Sequence, residues 1–220
     1  MSLNANQAND VCESYLAYLY AQTQPTISST PSQKILSETN GAILYPAITQ
    51  CLTSLHLTEQ DILVDLGSAS GRIVLQAFLT TDIKEAWGME IVPSLHQQAL
   101  AVSQIVKKDL PEFFINRQLK FLQASFLETP LAPATVAIIN ATCFGLDILH
   151  PLGKVIENTP SIHTVVTLRP LLNLRRLKVR KVFFCGVFLG NSARLFISLK
   201  SKSGIEREMA RATCSLISPR

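Results

Sequence analysis

The residues of this chain best suited to chemistry are an aspartate, a glycine loop and a glutamate: Asp65-Leu66-Gly67-Ser68-Ala69-Ser70-Gly71, with Glu90 further on. Asp65 and Leu66 close the apolar run Ile62-Leu63-Val64, which has the length and β-branching of a strand. Beyond Gly71, Ile73 to Leu79 is long enough to begin a helix. A strand, a glycine turn and a helix N-terminus therefore follow one another. Glycine lets the backbone approach a ligand closely, and the first amides of a helix present unpaired donors at the positive end of its dipole. Glu90 ends the next strand-like run, where a carboxylate hydrogen-bonds the hydroxyl pair of a ribose. Together these residues predict a nucleoside-cofactor site.

The glycine spacing narrows the cofactor. A phosphate-cradling loop needs G-x-x-x-x-G-K-[ST], which does not continue from Gly67. A dinucleotide fingerprint needs G-x-G-x-x-G, whereas the chain has G-S-A-S-G. A nucleophile elbow needs serine at the centre of G-x-S-x-G, and Ala69 stands there. An acidic strand end followed by G-x-x-x-G resembles motif I of class I S-adenosylmethionine-dependent methyltransferases.

The elements that must position these residues are legible from periodicity. The first ~20 residues carry Val11, Tyr15, Leu16, Tyr18 and Leu19 in a helical pattern. A Thr/Ser/Gln/Pro-rich connector spans 22–32. Leu44, Ala47, Ile48, Cys51, Leu52 and Leu55 recur at helical spacing and lead into the first strand. Ala86 to Glu90 ends a second strand, and Leu95 to Leu110 is a helix opened by Pro93. Leu119 to Leu122, Thr135 to Ile139 and Ile162 to Leu168 read as further strands. Between the last two, Leu146 to Asn158 is expected to be helical with an interruption at Pro151 and Gly153. Val179 to Phe188 and Arg194 to Lys200 form strand-like runs joined by Gly190-Asn191, a hairpin signal. Alternating strands and helices closed by a hairpin predict an α/β fold, a mostly parallel sheet with an antiparallel edge. Asp65, Gly67, Glu90, Ser125 and Asn140 all fall at or just past strand ends, where open α/β sheets bind ligands.

Within the methyltransferase superfamily, residues ~40–200 resemble histone lysine methyltransferases of the disruptor of telomeric silencing family. Leu57-Thr58-Glu59-Gln60-Asp61-Ile62-Leu63-Val64-Asp65-Leu66-Gly67-Ser68, with Gly71, Val74, Leu75 and Gln76, is similar to T-x-x-D-x-x-V-D-L-G-S-G-x-G-x-V-V-L-Q. Gly88-Met89-Glu90 resembles G-V-E, and Phe126-Leu127 the end of D-F-L. Asn140-Ala141-Thr142-Cys143-Phe144-Gly145 resembles N-N-F-A-F-G, and Arg169-Pro170-Leu171-Leu172-Asn173-Leu174 stands in the place of K-P-F-x-P-L-N-F. The family's Y-G-E-[TS] is Asn40-Gly41-Ala42-Ile43 here, its aspartate before F-L is Ser125, and its middle motif I glycine is Ala69.

The resemblance implies a Rossmann-like class I methyltransferase fold with a mostly parallel seven-stranded sheet, an antiparallel C-terminal hairpin and helices on both faces. It implies S-adenosyl-L-methionine as cofactor, contacted by Asp65, Gly67, Ser68, Gly71, Glu90, Ser125 and Phe126. Asn140 would orient an attacking amine and Phe144 would wall the transfer channel. The acceptor expected is an amine on a protein or small molecule, with protein lysine first. The alternative is a non-catalytic cofactor- or partner-binding module. The expected organisation is a helical extension over 1–39, the methyltransferase domain over 40–202 and a tail over 203–220.

Bulk properties bound the remaining classes. A chain of 220 residues, 47% hydrophobic, supports one sizeable core. The net charge of +4 is modest, but Arg169, Arg175, Arg176, Lys178, Arg180 and Lys181 crowd one segment. A basic strip over 169–181 would suit nucleic acid or another acidic partner, or be a solvated face. Five cysteines without C-x-x-C indicate neither zinc site nor disulfide framework, and the four histidines have no metal spacing. The absence of an apolar leader or membrane-length run leads to the expectation of a cytoplasmic protein.

Overall fold

In the computed structural model the chain is described over residues 5–23, 43–186 and 192–200. Helices α1 (Ala5–Gln22), α2 (Tyr45–Leu55), α3 (Arg72–Thr80), α4 (Pro93–Asp109) and α5 (Leu146–Glu157) surround seven strands. The strands are β1 (Ile62–Leu66), β2 (Glu85–Glu90), β3 (Gln118–Gln123), β4 (Val136–Ile139), β5 (Thr164–Thr167), β6 (Leu177–Gly186) and β7 (Ser192–Lys200). Their order is β3-β2-β1-β4-β5-β7-β6. The first five strands are parallel, while β7 runs antiparallel to both β5 and β6. This is the Rossmann-like arrangement expected, with the second strand of the C-terminal pair lying between β5 and the first. The hairpin connection at Gly190-Asn191 lies outside the described residues, as do positions 24–32 of the expected connector, whose first residue, Gln22, closes α1 instead.

Every residue of β1 is buried because helices cover both faces of the sheet. Leu63 points to one face, with Ile48 and Leu52 of α2 and Val74 and Phe78 of α3. Val64 and Leu66 point to the other, with Leu149, Leu152 and Ile156 of α5. Helix α1 joins the first face, setting Leu16, Leu19 and Tyr20 among Leu75, Val102 and Val106.

Two letters of the strand-one signature are architectural. Asp61 Oδ2 accepts the Thr58 amide at 2.8 Å and its hydroxyl at 3.0 Å, closing the turn into β1. Gln76, buried in α3, donates through Nε2 to the Tyr45 carbonyl at 3.1 Å and the Thr49 hydroxyl at 2.9 Å, tying α3 to α2.

The expected interruption at Pro151 and Gly153 is absent: α5 is one helix through both. It buries Leu149, Leu152 and Ile156, which offsets the single backbone bond that proline forgoes. Gly153 has a packing reason instead. A Cβ there would lie 1.9 Å from the Leu172 carbonyl oxygen, so the chain leaving β5 crosses the helix at its bare backbone.

The basic run over 169–181 is also divided. The Arg176 guanidinium donates to the carbonyls of Ile156 (2.6 Å), Thr159 (2.7 Å) and Ile162 (2.5 Å), and its Nε to that of Glu157 (3.1 Å). It thereby caps the carbonyl end of α5. Arg169 donates to the Phe144 carbonyl. Among the described residues no helix is long and apolar enough to cross a membrane, and no His/Cys/Asp/Glu group could hold a metal ion.

Candidate functional site

The strand order reverses between β1 and β4, and at their carboxyl ends lies a pocket of about 390 Å³. That volume is within the ~300–1,000 Å³ of small-molecule sites. Gly67 and Ala69 after β1, Glu90 at the end of β2, Ser125 and Phe126 after β3, and Asn140 and Phe144 after β4 all line it. Four strand ends therefore converge on one space.

The loop after β1 turns sharply because three of its five residues are left-handed: Gly67 (φ 83°), Ala69 (φ 47°) and Gly71 (φ 83°). Gly67 also needs the space. A Cβ there would lie 3.0 Å from Phe144 Cζ. At Gly71 a Cβ would lie 2.5 Å from the Phe121 ring, so this glycine serves packing beneath the loop. The Gly67 and Ser68 amides both donate to the Met89 carbonyl at 2.9 Å, fastening the loop to β2.

Two carboxyl groups stand at adjacent strand ends. Glu90 accepts the Ala69 amide through Oε2 and the Val92 amide through Oε1, each at 2.8 Å, and keeps lone pairs on both oxygens. Asp65 is 1% exposed, and burial together with the Glu90 charge pushes its carboxyl up to about 8. Its Oδ1 is a buried acceptor with no hydrogen-bond partner among the described residues, and so is the Ser68 hydroxyl oxygen. A cationic ligand over this end of the sheet would favour the ionised form of both carboxyls. These acceptors thus fit a cofactor that combines a ribose with positive charge.

The rest of the lining includes aromatic and polar residues. The Phe126 and Phe144 rings lie 5.5 Å apart, tilted by 40°. Arg169, itself bonded to the Thr167 hydroxyl, holds the Phe144 carbonyl and so fixes the backbone that carries this ring. Asn140 Oδ1 accepts the Thr142 hydroxyl at 2.9 Å, which orients the carboxamide. Ser125 Oγ accepts the Leu127 amide at 3.3 Å. No lysine or arginine lines the pocket among the described residues.

Of the residues singled out from sequence, Gly67, Glu90, Ser125, Phe126, Asn140 and Phe144 line this pocket, while Asp65, Ser68 and Gly71 are outside its lining. Ala42, one of the substituted motif positions, falls outside the described residues, and Ile43 is buried in the core. Sequence reasoning passed over Ile91 and Val92, which line the pocket although 66% and 42% exposed. They stand directly after Glu90 and before the helix-opening proline. Sequence reasoning also left Thr142 without a part.

The profile of the family Histone methylation protein DOT1 matches residues 32–182. Among solved structures, an RNA methyltransferase from Salinibacter ruber in complex with S-adenosyl-L-homocysteine is similar with a TM-score of 0.52 at 20% identity, over 74% of this chain and 97% of that one. The methyltransferase domain of bacterial CtHen1 is similar with a TM-score of 0.54 at 13% identity, over 70% and 97%. TrmK from M. capricolum, in complex with S-adenosyl-homocysteine, gives 0.50 at 13% identity, over 81% and 89%. At these identities the likeness to the solved structures is one of fold.

Proposed function

The chain belongs to the family of the histone methylation protein DOT1 and is an S-adenosylmethionine-dependent methyltransferase; from that premise we propose that its pocket methylates an amine, with protein lysine as the first acceptor. The observation that carries this reading is the pairing of Glu90 with the Ala69 amide, which sets a ribose-binding carboxylate and the cofactor loop in fixed relation. S-adenosylmethionine, when bound, supplies an electrophilic methyl group on a positively charged sulfur.

In this reading Glu90 accepts the ribose hydroxyls through its remaining lone pairs. Ser125, Phe126, Ile91 and Val92 enclose the adenine, with apolar surface above and below and the serine hydroxyl at its edge. Gly67 presents bare backbone to the amino-acid portion. Asp65, Ser68 and Gly71 act from outside the lining, setting the charge and the shape of the loop. Asn140, oriented by Thr142, accepts an N–H of the acceptor amine with its second carbonyl lone pair and so aims the nitrogen lone pair. Phe144 excludes water from the line of transfer. Positioning and desolvation then supply most of the acceleration.

A protein amine suits the lining better than a phosphate-bearing strand. Glu90 brings negative charge, no lysine or arginine lines the pocket among the described residues, and Arg169 and Arg176 of the basic run are bonded to carbonyls within the fold.

Saturating S-adenosylhomocysteine, at 100 times its dissociation constant, is expected to stabilise the chain by ~2.7 kcal/mol and to raise its melting temperature by roughly 5–10 °C. Glu90→Ala should weaken the ligand at least about tenfold, the value of one charge-assisted hydrogen bond. Labelled cofactor offered with histones, lysine-rich peptides and RNA should deliver methyl to lysine. Label on RNA alone overturns the acceptor, and an unmoved melting temperature overturns the cofactor site.

A further inference from the structure

We propose that Tyr20, in the N-terminal helix, is a positioning residue for the cofactor loop. The inference rests on reading the pocket as the S-adenosylmethionine site. The loop 67–71 is a costly shape for this chain, since Ala69 is left-handed without being glycine. From the sheet side it is held by the Met89 carbonyl, which takes the Gly67 and Ser68 amides, and by Glu90, which takes the Ala69 amide. From the outer side it is held by Tyr20, whose hydroxyl donates to the Ser70 carbonyl at 2.7 Å.

Tyr20 is built for that contact. It is 2% exposed, its neighbours Leu16 and Leu19 are seated with it against Leu75, Val102 and Val106, and the Arg72 guanidinium lies 3.8 Å from its ring centroid. Arg72 is the first residue of α3, so the stacked pair spans the junction of loop and helix. Ser70 follows Ala69 directly. Fixing its carbonyl restrains the Ser70–Gly71 peptide, which follows the left-handed Ala69 and leads into the left-handed Gly71, and so anchors the turn whose Ala69 amide meets Glu90. Helix α1, far upstream in sequence, is thereby part of the cofactor-binding apparatus without touching the pocket.

Tyr20→Phe keeps the buried ring and its stacking while deleting the hydrogen bond. Tyr15→Phe is the control, because Tyr15 donates to Asp109 Oδ2 at 3.0 Å from the same helix but away from the loop. Calorimetric titration with S-adenosylhomocysteine should show Tyr20→Phe weaker by about 3- to 10-fold, the factor one neutral hydrogen bond supplies, and Tyr15→Phe unchanged. In turnover the cofactor KM should rise with kcat at saturation unaltered. Without ligand, amide hydrogen exchange at Ala69 and Gly71 should quicken in Tyr20→Phe only. Equal affinity and exchange in Tyr20→Phe and the unsubstituted chain, or equal losses in both variants, overturn the assignment. If the unsubstituted chain fails to bind the ligand, the reading of the pocket falls, and the exchange comparison still decides whether Tyr20 holds the loop.

Discussion

Asp65 holds its proton at neutral pH because burial in the centre of the sheet disfavours the charged carboxylate, whose Oδ1 has no hydrogen-bond partner among the described residues, and because Glu90 adds a like charge nearby. The folded chain keeps that proton up to about pH 8, whereas the ordinary value is 3.8. The bound proton therefore favours folding in full below about pH 4, and that contribution is lost as the pH rises to 8. Asp65→Asn, which cannot ionise, should melt close to the unsubstituted chain at pH 4 and above it at pH 8, as followed by thermal unfolding across that range. A gap that widens toward acid would contradict the assignment. Residue identity was legible here, but placement was not. Motif spacing marks Asp65, Ser68 and Gly71 as readily as Gly67 and Glu90, yet only the last two line the pocket. Conversely, Ile91 and Val92 are apolar, and a pattern that assigns apolar residues to the core cannot show that they face a cavity.

At the scale of elements, periodicity and punctuation by proline and glycine located every described strand and α-helix to within a few residues. The exception is instructive. Pro151 and Gly153 break helices in isolation, but α5 buries Leu149, Leu152 and Ile156 and has Arg176 on its carbonyl end. Tertiary packing outweighs local propensity there. The glycine records a crossing that no local rule can foresee. Gly153→Ala should push the Leu172 carbonyl away, at a cost of about 1–3 kcal/mol for overpacking, measurable by denaturant unfolding. The displaced segment begins with Arg169, so the variant should also loosen Phe144 and slow methyl transfer more than it weakens cofactor binding. Unchanged stability would mean that the segment yields freely.

For the whole molecule, the alternation of strands and helices gives the class of fold, while sheet order depends on which edges meet. The hairpin signal correctly pairs β6 with β7, but the pairing of β7 with β5 is long-range and leaves no mark in local sequence. A chain ending at Arg176 would retain the cap on α5 and lose the strand that covers β5. Its open edge, Thr164-Val165-Val166-Thr167, should drive it into the insoluble fraction, whereas the full chain stays in the supernatant after centrifugation. A soluble, folded truncation would show that β5 needs no partner. The same strand order has a consequence for biosynthesis. Every described residue lining the pocket precedes β5, but β5 stays bare on one side until β7, the last of the described strands, has left the ribosome. The catalytic half of the protein can take shape during translation while the sheet carrying it is still open. In that interval a nascent chain is most exposed to its neighbours and most in need of a chaperone.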